Sequence, residues 1–247
     1  MFIFCVPFKC RDCCANWPLA QQLCARAISS MLAGPLEVRV ILVCHELPKG
    51  LPEDRRLIVK SITTPKPQTR EQMMEDKSLK IKMALTVARE FAPAWLMRAD
   101  ADDLISRRLV KFIEKQPANT AWYSENGWAY RLGSRWALKL RNFHRICGTS
   151  CVTYVTRAEL PEILDQAAEE FYLLTQGHHM VVDYLRKLDI TVNPIPFPTT
   201  IYVTDSGENL SGHWFSDLRS KRWILRKMLW SRRIGWRLRA EFGLKPY

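Results

Sequence analysis

The run Trp95-Leu96-Met97-Arg98-Ala99-Asp100-Ala101-Asp102-Asp103-Leu104 confines this chain more than any other stretch. A short apolar segment ends in three carboxylates within four residues. The middle of a buried strand cannot carry such a cluster, because each unpaired carboxylate would lose its hydration. The acids therefore mark a strand end that faces water or a cation. Asp100 and Asp102 are two residues apart, so in extended backbone they point to the same side. Side by side they repel unless a proton or a cation lies between them. A hard divalent ion that also holds substrate phosphates would satisfy them.

The residues before this cluster alternate between strand and helix patterns. Phe2 to Phe8 is a short apolar run that reads as a buried strand. Asn16-Trp17-Pro18 opens a helix, with Asn16 as the cap and the proline in the first turn. Ala20, Leu23, Cys24, Ala27, Ile28 and Met31 give that helix one apolar face, and Gly34-Pro35 stops it. Glu37 to Cys44 and Arg56 to Ile62 read as strands, 65–76 as a loop, Ser78 to Phe91 as a helix, and Arg107 to Lys115 as another. This order predicts an α/β fold with a mostly parallel sheet and helices on both faces. Ligands of such sheets bind beyond the carboxyl ends of the strands, where Asp100 to Asp103 lie. Further on, Thr120 to Tyr130 and Cys151 to Val155 read as strands, and Leu160 to Leu173 and His179 to Leu188 as helices. Ile190 to Phe197 and Thr199 to Val203 read as short extended pieces.

Composition removes several classes. At 247 residues and 47% hydrophobic, the chain has ample material for a core. No run approaches eighteen uninterrupted apolar residues, so no membrane-spanning helix is expected. Met1 to Phe8 is too short and wrongly flanked for a signal peptide, which points to a cytoplasmic protein. The eight cysteines crowd toward the start and read as free thiols in a reducing compartment. Cys10-Arg11-Asp12-Cys13-Cys14 has metal-ligand spacing but no second half, which makes zinc the weaker reading.

The first strand ending in Val6-Pro7-Phe8, the capped helix, the strand Val40-Ile41-Leu42-Val43 and the acids Asp100-Ala101-Asp102-Asp103 together resemble a GT-A glycosyltransferase. The nearest likeness is to the family 2-like, nucleotide-sugar-dependent enzymes of bacteria. The resemblance covers roughly residues 1–155 and implies a GT-A-like, nucleotide-binding sheet. It implies domain 1–214, with 1–115 holding the nucleotide and 116–214 the acceptor. In that family an Asp-x-Asp motif binds Mn²⁺ or Mg²⁺ against the donor's diphosphate. By this likeness Asp102 and Asp100 are metal ligands, with Asp100 also near the ribose. Asp103 is either a third acid of the site or the acid of the following helix start.

The same likeness puts Pro7, Phe8 and Glu46 beside the base, in a place where many relatives carry Asp. Gly148, Thr149 and Ser150 would line the donor sugar, with an ordinary turn as the alternative. An inverting enzyme needs a base for the acceptor hydroxyl. Gly177-His178-His179, with Asp183 four residues after His179, offers one. His213 is a candidate further metal ligand. Lys80 and Lys82 read as solvated, with phosphate contact as the other possibility.

Residues 215–247 carry ten Lys and Arg against two acids, a surplus of eight within a chain total of +12. Arginines at helical spacing beside Trp223, Ile224, Met228, Ile234 and Leu238 describe a basic helical tail at an anionic membrane surface. The expected activity is metal-dependent transfer of a sugar from a nucleotide-diphosphate sugar to a glycan or lipid-linked acceptor. The protein would be peripheral on the inner face of the membrane, and nucleic acid is not an expected partner. The alternatives are a nucleotidyltransferase on a similar sheet and a non-enzymatic module binding membrane or nucleic acid.

Overall fold

The computed structural model describes residues 1–166, 177, 179–208 and 230–244. Its centre is a sheet of seven strands in the order β10-β6-β9-β4-β1-β2-β3. These are β1 (Phe2–Pro7), β2 (Val38–Cys44), β3 (Leu57–Ser61), β4 (Ala94–Arg98), β6 (Thr120–Ser124), β9 (Cys151–Val155) and β10 (Thr191–Ile195). Strand β9 runs against both its neighbours, and every other pairing in the sheet is parallel. The expected α/β class with a mostly parallel sheet is the observed one.

The continuous apolar runs follow from burial on both faces. Phe2, Phe4 and Val6 of β1 pack with Val40 and Leu42 of β2 against helix α1 (Trp17–Leu32) and helix α3 (Arg108–Ile113). Ile3 and Cys5 join Ile41 and Val43 against helix α2 (Arg70–Ala88) on the opposite face. Asn16 caps α1, its side chain accepting from the Leu19 N–H at 3.0 Å.

The chain passes from β1 to β2 and β3 on one side, then returns to place β4 on the other side of β1. The sheet's switch point thus lies between the ends of β1 and β4, where a crevice for ligand opens.

A second sheet has the order β12-β8-β7-β11-β5, formed by β5 (Leu104–Ile105), β7 (Asn126–Arg131), β8 (Trp136–Arg141), β11 (Thr200–Thr204) and β12 (Ser231–Arg233). Two further short α-helices lie among the described residues, α4 (Val181–Lys187) and α5 (Trp236–Phe242).

Four expectations are corrected. Thr120 to Tyr130 is two strands in different sheets, because β6 pairs with β9 and β10 while β7 pairs with β8 and β11. The segment 70–76 is the first part of α2, nucleated by a capping box between Thr69 and Gln72. Residues 160–166 are turns and bends rather than helix, and 167–173 lie outside the described residues. The described part of the basic tail is a strand and a seven-residue helix, with Ile234, Phe242 and Leu244 buried against Trp128 and Tyr130. The rest of the tail, 215–229 and 245–247, lies outside the described residues, as do 209–214 with His213.

Candidate active site

Strand β4 is buried through Met97 and releases the chain at Asp100. Beyond it a cavity of about 350 Å³ opens between the ends of β1 and β4. Pro7, Phe8 and Lys9 line it from β1, Asp100 and Asp102 from β4, and Gly148 from the loop before β9. Helix α2 supplies a further wall through Arg70, Met73, Met74 and Lys77. Those four follow the spacing i, i+3, i+4, i+7 and so share one helix face.

The three acids have different environments. The Asp100 carboxylate accepts from Lys77 Nζ at 2.5 Å, and its backbone N–H donates to Thr149 Oγ1 at 2.8 Å. Burial and then the adjoining Asp100 charge push Asp102 up to about 7, against a smaller opposing pull from Lys77. Asp103 is fully buried and accepts from the Cys147 thiol at 3.1 Å. Burial, with the charges of Asp102 and Asp100 behind it, holds Asp103 well above the carboxylate range. Asp103 is therefore buried behind the site, neither water-facing nor part of a helix start. Gly148 lies close to the acid: a Cβ there would come within 3.2 Å of Asp100 Oδ2, a tight contact.

The lysines around the cavity are paired. Lys80 is fully buried, donating to the Phe8 carbonyl at 2.8 Å and to Asp76 Oδ2 at 2.6 Å. It is not on a solvated face. Asp76 Oδ1 also meets His45 Nε2 at 2.8 Å, so one buried carboxylate ties the ends of β1 and β2 to α2. Lys9 pairs with the buried Glu208 carboxylate and donates to the Glu208 carbonyl at 2.9 Å. Glu208 in turn accepts from the Asn16 N–H at 2.6 Å, drawing the chain after β11 back to the start of α1.

Several sequence candidates converge on this cavity: Pro7, Phe8, Asp100, Asp102 and Gly148 all line it. Thr149 and Ser150 are buried behind it, where Thr149 holds the Asp100 backbone. Glu46 does not line it. Its carboxylate accepts from the Arg11 N–H at 3.0 Å and pairs with Lys66 at 2.6 Å. Burial raises Glu46, but these two contacts outweigh it and leave the group below its ordinary value. His179 and Asp183 lie away from the cavity lining, and Asp183 faces Arg145 at 3.3 Å and Arg186 at 3.6 Å. His178 lies outside the described residues.

Arg70, Asp76, Lys77 and Glu208 were missed. The Thr69-x-x-Gln72 capping box and the Arg70/Met73/Met74/Lys77 spacing were the signals for the first three.

Two carboxylates on one side of a strand end, one of them reluctant to ionise, fit a divalent ion. Among the described residues no group of three His, Cys, Asp or Glu is placed to hold one. A magnesium-type ion that takes the rest of its shell from phosphates and water needs only the pair. Asp100 and Asp102 are the residues that would hold it.

Fold and site together define an α/β protein with an acid-tipped parallel strand opening on a cavity at the sheet's switch point. No family model matches the chain. No curated protein matches it either. Among solved structures it is similar to 2-C-methyl-D-erythritol 4-phosphate cytidylyltransferase from Francisella tularensis, at 12% identity and a TM-score of 0.44, over 78% of this chain and 88% of that one.

Proposed function

We propose that this chain is a divalent-metal-dependent transferase that binds a nucleotide through its diphosphate, and that the group it moves is a sugar. The observation that carries the reading is the pair Asp100 and Asp102 on the cavity wall, with Lys77 against Asp100 and Asp102 poised near 7. A bound divalent ion would neutralise the charge that develops on a diphosphate leaving group. Arg70 and Lys77 face the same space and are suited to phosphate oxygens. Pro7 and Phe8, with Phe8 packed on Trp17 at 5.4 Å between ring centres, supply an apolar wall suited to a base.

Nucleotidyl transfer is the second reading. It is favoured by the four cations on the cavity, Lys9, Arg70, Lys77 and Lys80, which suit a triphosphate as well as a diphosphate.

One experiment separates the two. The full chain is incubated with Mn²⁺ and either UDP-sugars and GDP-sugars or nucleoside triphosphates, and the products are resolved. Nucleoside diphosphate released from a nucleotide sugar supports sugar transfer, and pyrophosphate released from a triphosphate supports nucleotidyl transfer. Asp100→Asn and Asp102→Asn should abolish whichever is seen. Turnover that survives both substitutions, or no Mn²⁺-dependent thermal stabilisation by any nucleotide, would overturn the proposal.

A further inference from the structure

We propose a second binding site, for the phosphate headgroups of an anionic membrane surface, on the face formed by β12, the turn before β8 and helix α5. A cavity of about 260 Å³ opens there, away from Asp100, with Tyr130, Ser134, Arg135 and Arg239 among its lining. No carboxylate among the described residues pairs with Arg135 or Arg239. The nearby acids are engaged elsewhere: Glu241 with Ser106 at 2.6 Å and Arg108 at 3.8 Å, and Asp205 with Arg131 at 3.4 Å. Two guanidinium groups on one polar cavity are a receptor for a phosphate ester.

The rim of the cavity selects the source of that phosphate. Trp136 is 54% exposed and Trp236 is 74% exposed. The Ile234 N–H donates to the Arg135 carbonyl at 2.9 Å, and Arg233 lies opposite Trp136 in the β12–β8 pair, so Trp136 follows the cavity-lining Arg135 directly and Trp236 stands two residues after the cavity-lining Ile234. The Arg237 guanidinium sits 5.3 Å from the Trp236 ring centre. Indoles left in water beside arginines are matched to the headgroup layer, where one end of the ring is wet and the other apolar. The underside is anchored, because Ile234, Phe242 and Leu244 are buried in the core of the second sheet. The sequence leading into the patch has the same character: Trp214, Phe215, Trp223, Ile224, Met228 and Trp230 are interleaved with arginines and lysines. This surface does not depend on what the Asp100 cavity transfers.

The test is flotation of the full-length protein with phosphatidylcholine vesicles, with and without phosphatidylglycerol. Binding should require phosphatidylglycerol and weaken as salt is raised. Each arginine near an anionic surface is worth about fivefold in partitioning, so Arg135→Gln with Arg239→Gln should lower binding roughly 25-fold. Trp136→Ala with Trp236→Ala should lower it as well, while turnover of soluble substrates stays unchanged in both variants. The Lys versions of both arginines should keep most of the binding. Equal flotation of wild type and the Gln double variant would overturn the proposal. Two other outcomes would overturn it too: retention on single-stranded RNA without vesicle binding, and binding of free glycerol 3-phosphate without vesicle binding.

Discussion

The unusual protonation of Asp102 makes a quantitative prediction for Asp102→Asn. In the unfolded chain this carboxyl titrates at its ordinary 3.8, and in the native protein at about 7. Between those values the native state holds a proton that the unfolded chain has released. Stability therefore falls as pH rises through this window and levels off above 7. Asparagine is neutral throughout and has no such slope. Two pH units of the window lie above pH 5, each worth 1.36 kcal/mol, so the variant should gain about 3 kcal/mol on wild type between pH 5 and pH 8. For a chain of this size that is roughly 6–12 °C in melting temperature. Urea denaturation of both proteins at pH 5, 6, 7 and 8, in EDTA, reads the difference directly. Asp103 is present in both proteins, so its own burial does not create the gap. Adding Mg²⁺ at pH 8 should raise wild type more than the variant, which keeps only the Asp100 carboxylate of the pair. Parallel stability profiles for the two proteins across this range would refute the reasoning.

Other substitutions follow from single contacts. Lys77→Met removes the cation that now sits on Asp100, so Mg²⁺ alone should bind more tightly while UDP with Mg²⁺ binds more weakly; isothermal titration checks both signs. Lys80→Met leaves Asp76 and the Phe8 carbonyl without their buried donor and should cost about 3–5 kcal/mol in urea denaturation. Gly127→Ala drives a methyl to within 2.3 Å of the fully buried Phe143 ring, which should cost about 1–3 kcal/mol by the same measurement. Gly148→Ala presses on Asp100 at 3.2 Å and should weaken Mn²⁺ binding about tenfold, read by titration of Mn²⁺ alone, with the melting temperature nearly unchanged.

The parts of the fold that could be read in advance are those in which one residue pattern has one solution. Strands buried on both faces must be continuous apolar runs, and Phe2–Pro7 and Val38–Cys44 are such runs. Helix α1 carried both a cap and a periodic face. The early turns of α2 were lost because their apolar residues, Met73 and Met74, face a cavity rather than the core. The split between β6 and β7 had no local signal, since a run of aromatic and small residues suits either sheet and only the partners decide. Strand β12 is Ser231–Arg233, whose composition gives no strand pattern, while its arginines continue a helical spacing from upstream. Its pairing with β8 and the burial of Ile234 override that spacing.

At the site, residue type was legible and pairing was not. Asp100 and Asp102 announced themselves by their place at a strand end, but nothing local separates Asp102, poised near 7, from Asp103, buried behind it and raised well above the carboxylate range. The lysines came from a helix face and a loop distant in sequence, and each met an acid: Lys9 with Glu208, Lys77 with Asp100, Lys80 with Asp76. Each of these lysines must first leave an ion pair to reach a phosphate, so apart from Arg70 the cavity offers little attraction to a bare phosphate. It favours an anion that arrives with its own divalent cation. Asp100 would hold such a cation in place of the Lys77 ammonium, and Lys77 would be free to pair with the phosphates without any charge being left unpaired. That exchange gives Lys77 its role in the proposed transferase. It also explains why a lysine rather than an arginine stands beside Asp100, since a single flexible ammonium changes partners more readily than a bidentate guanidinium.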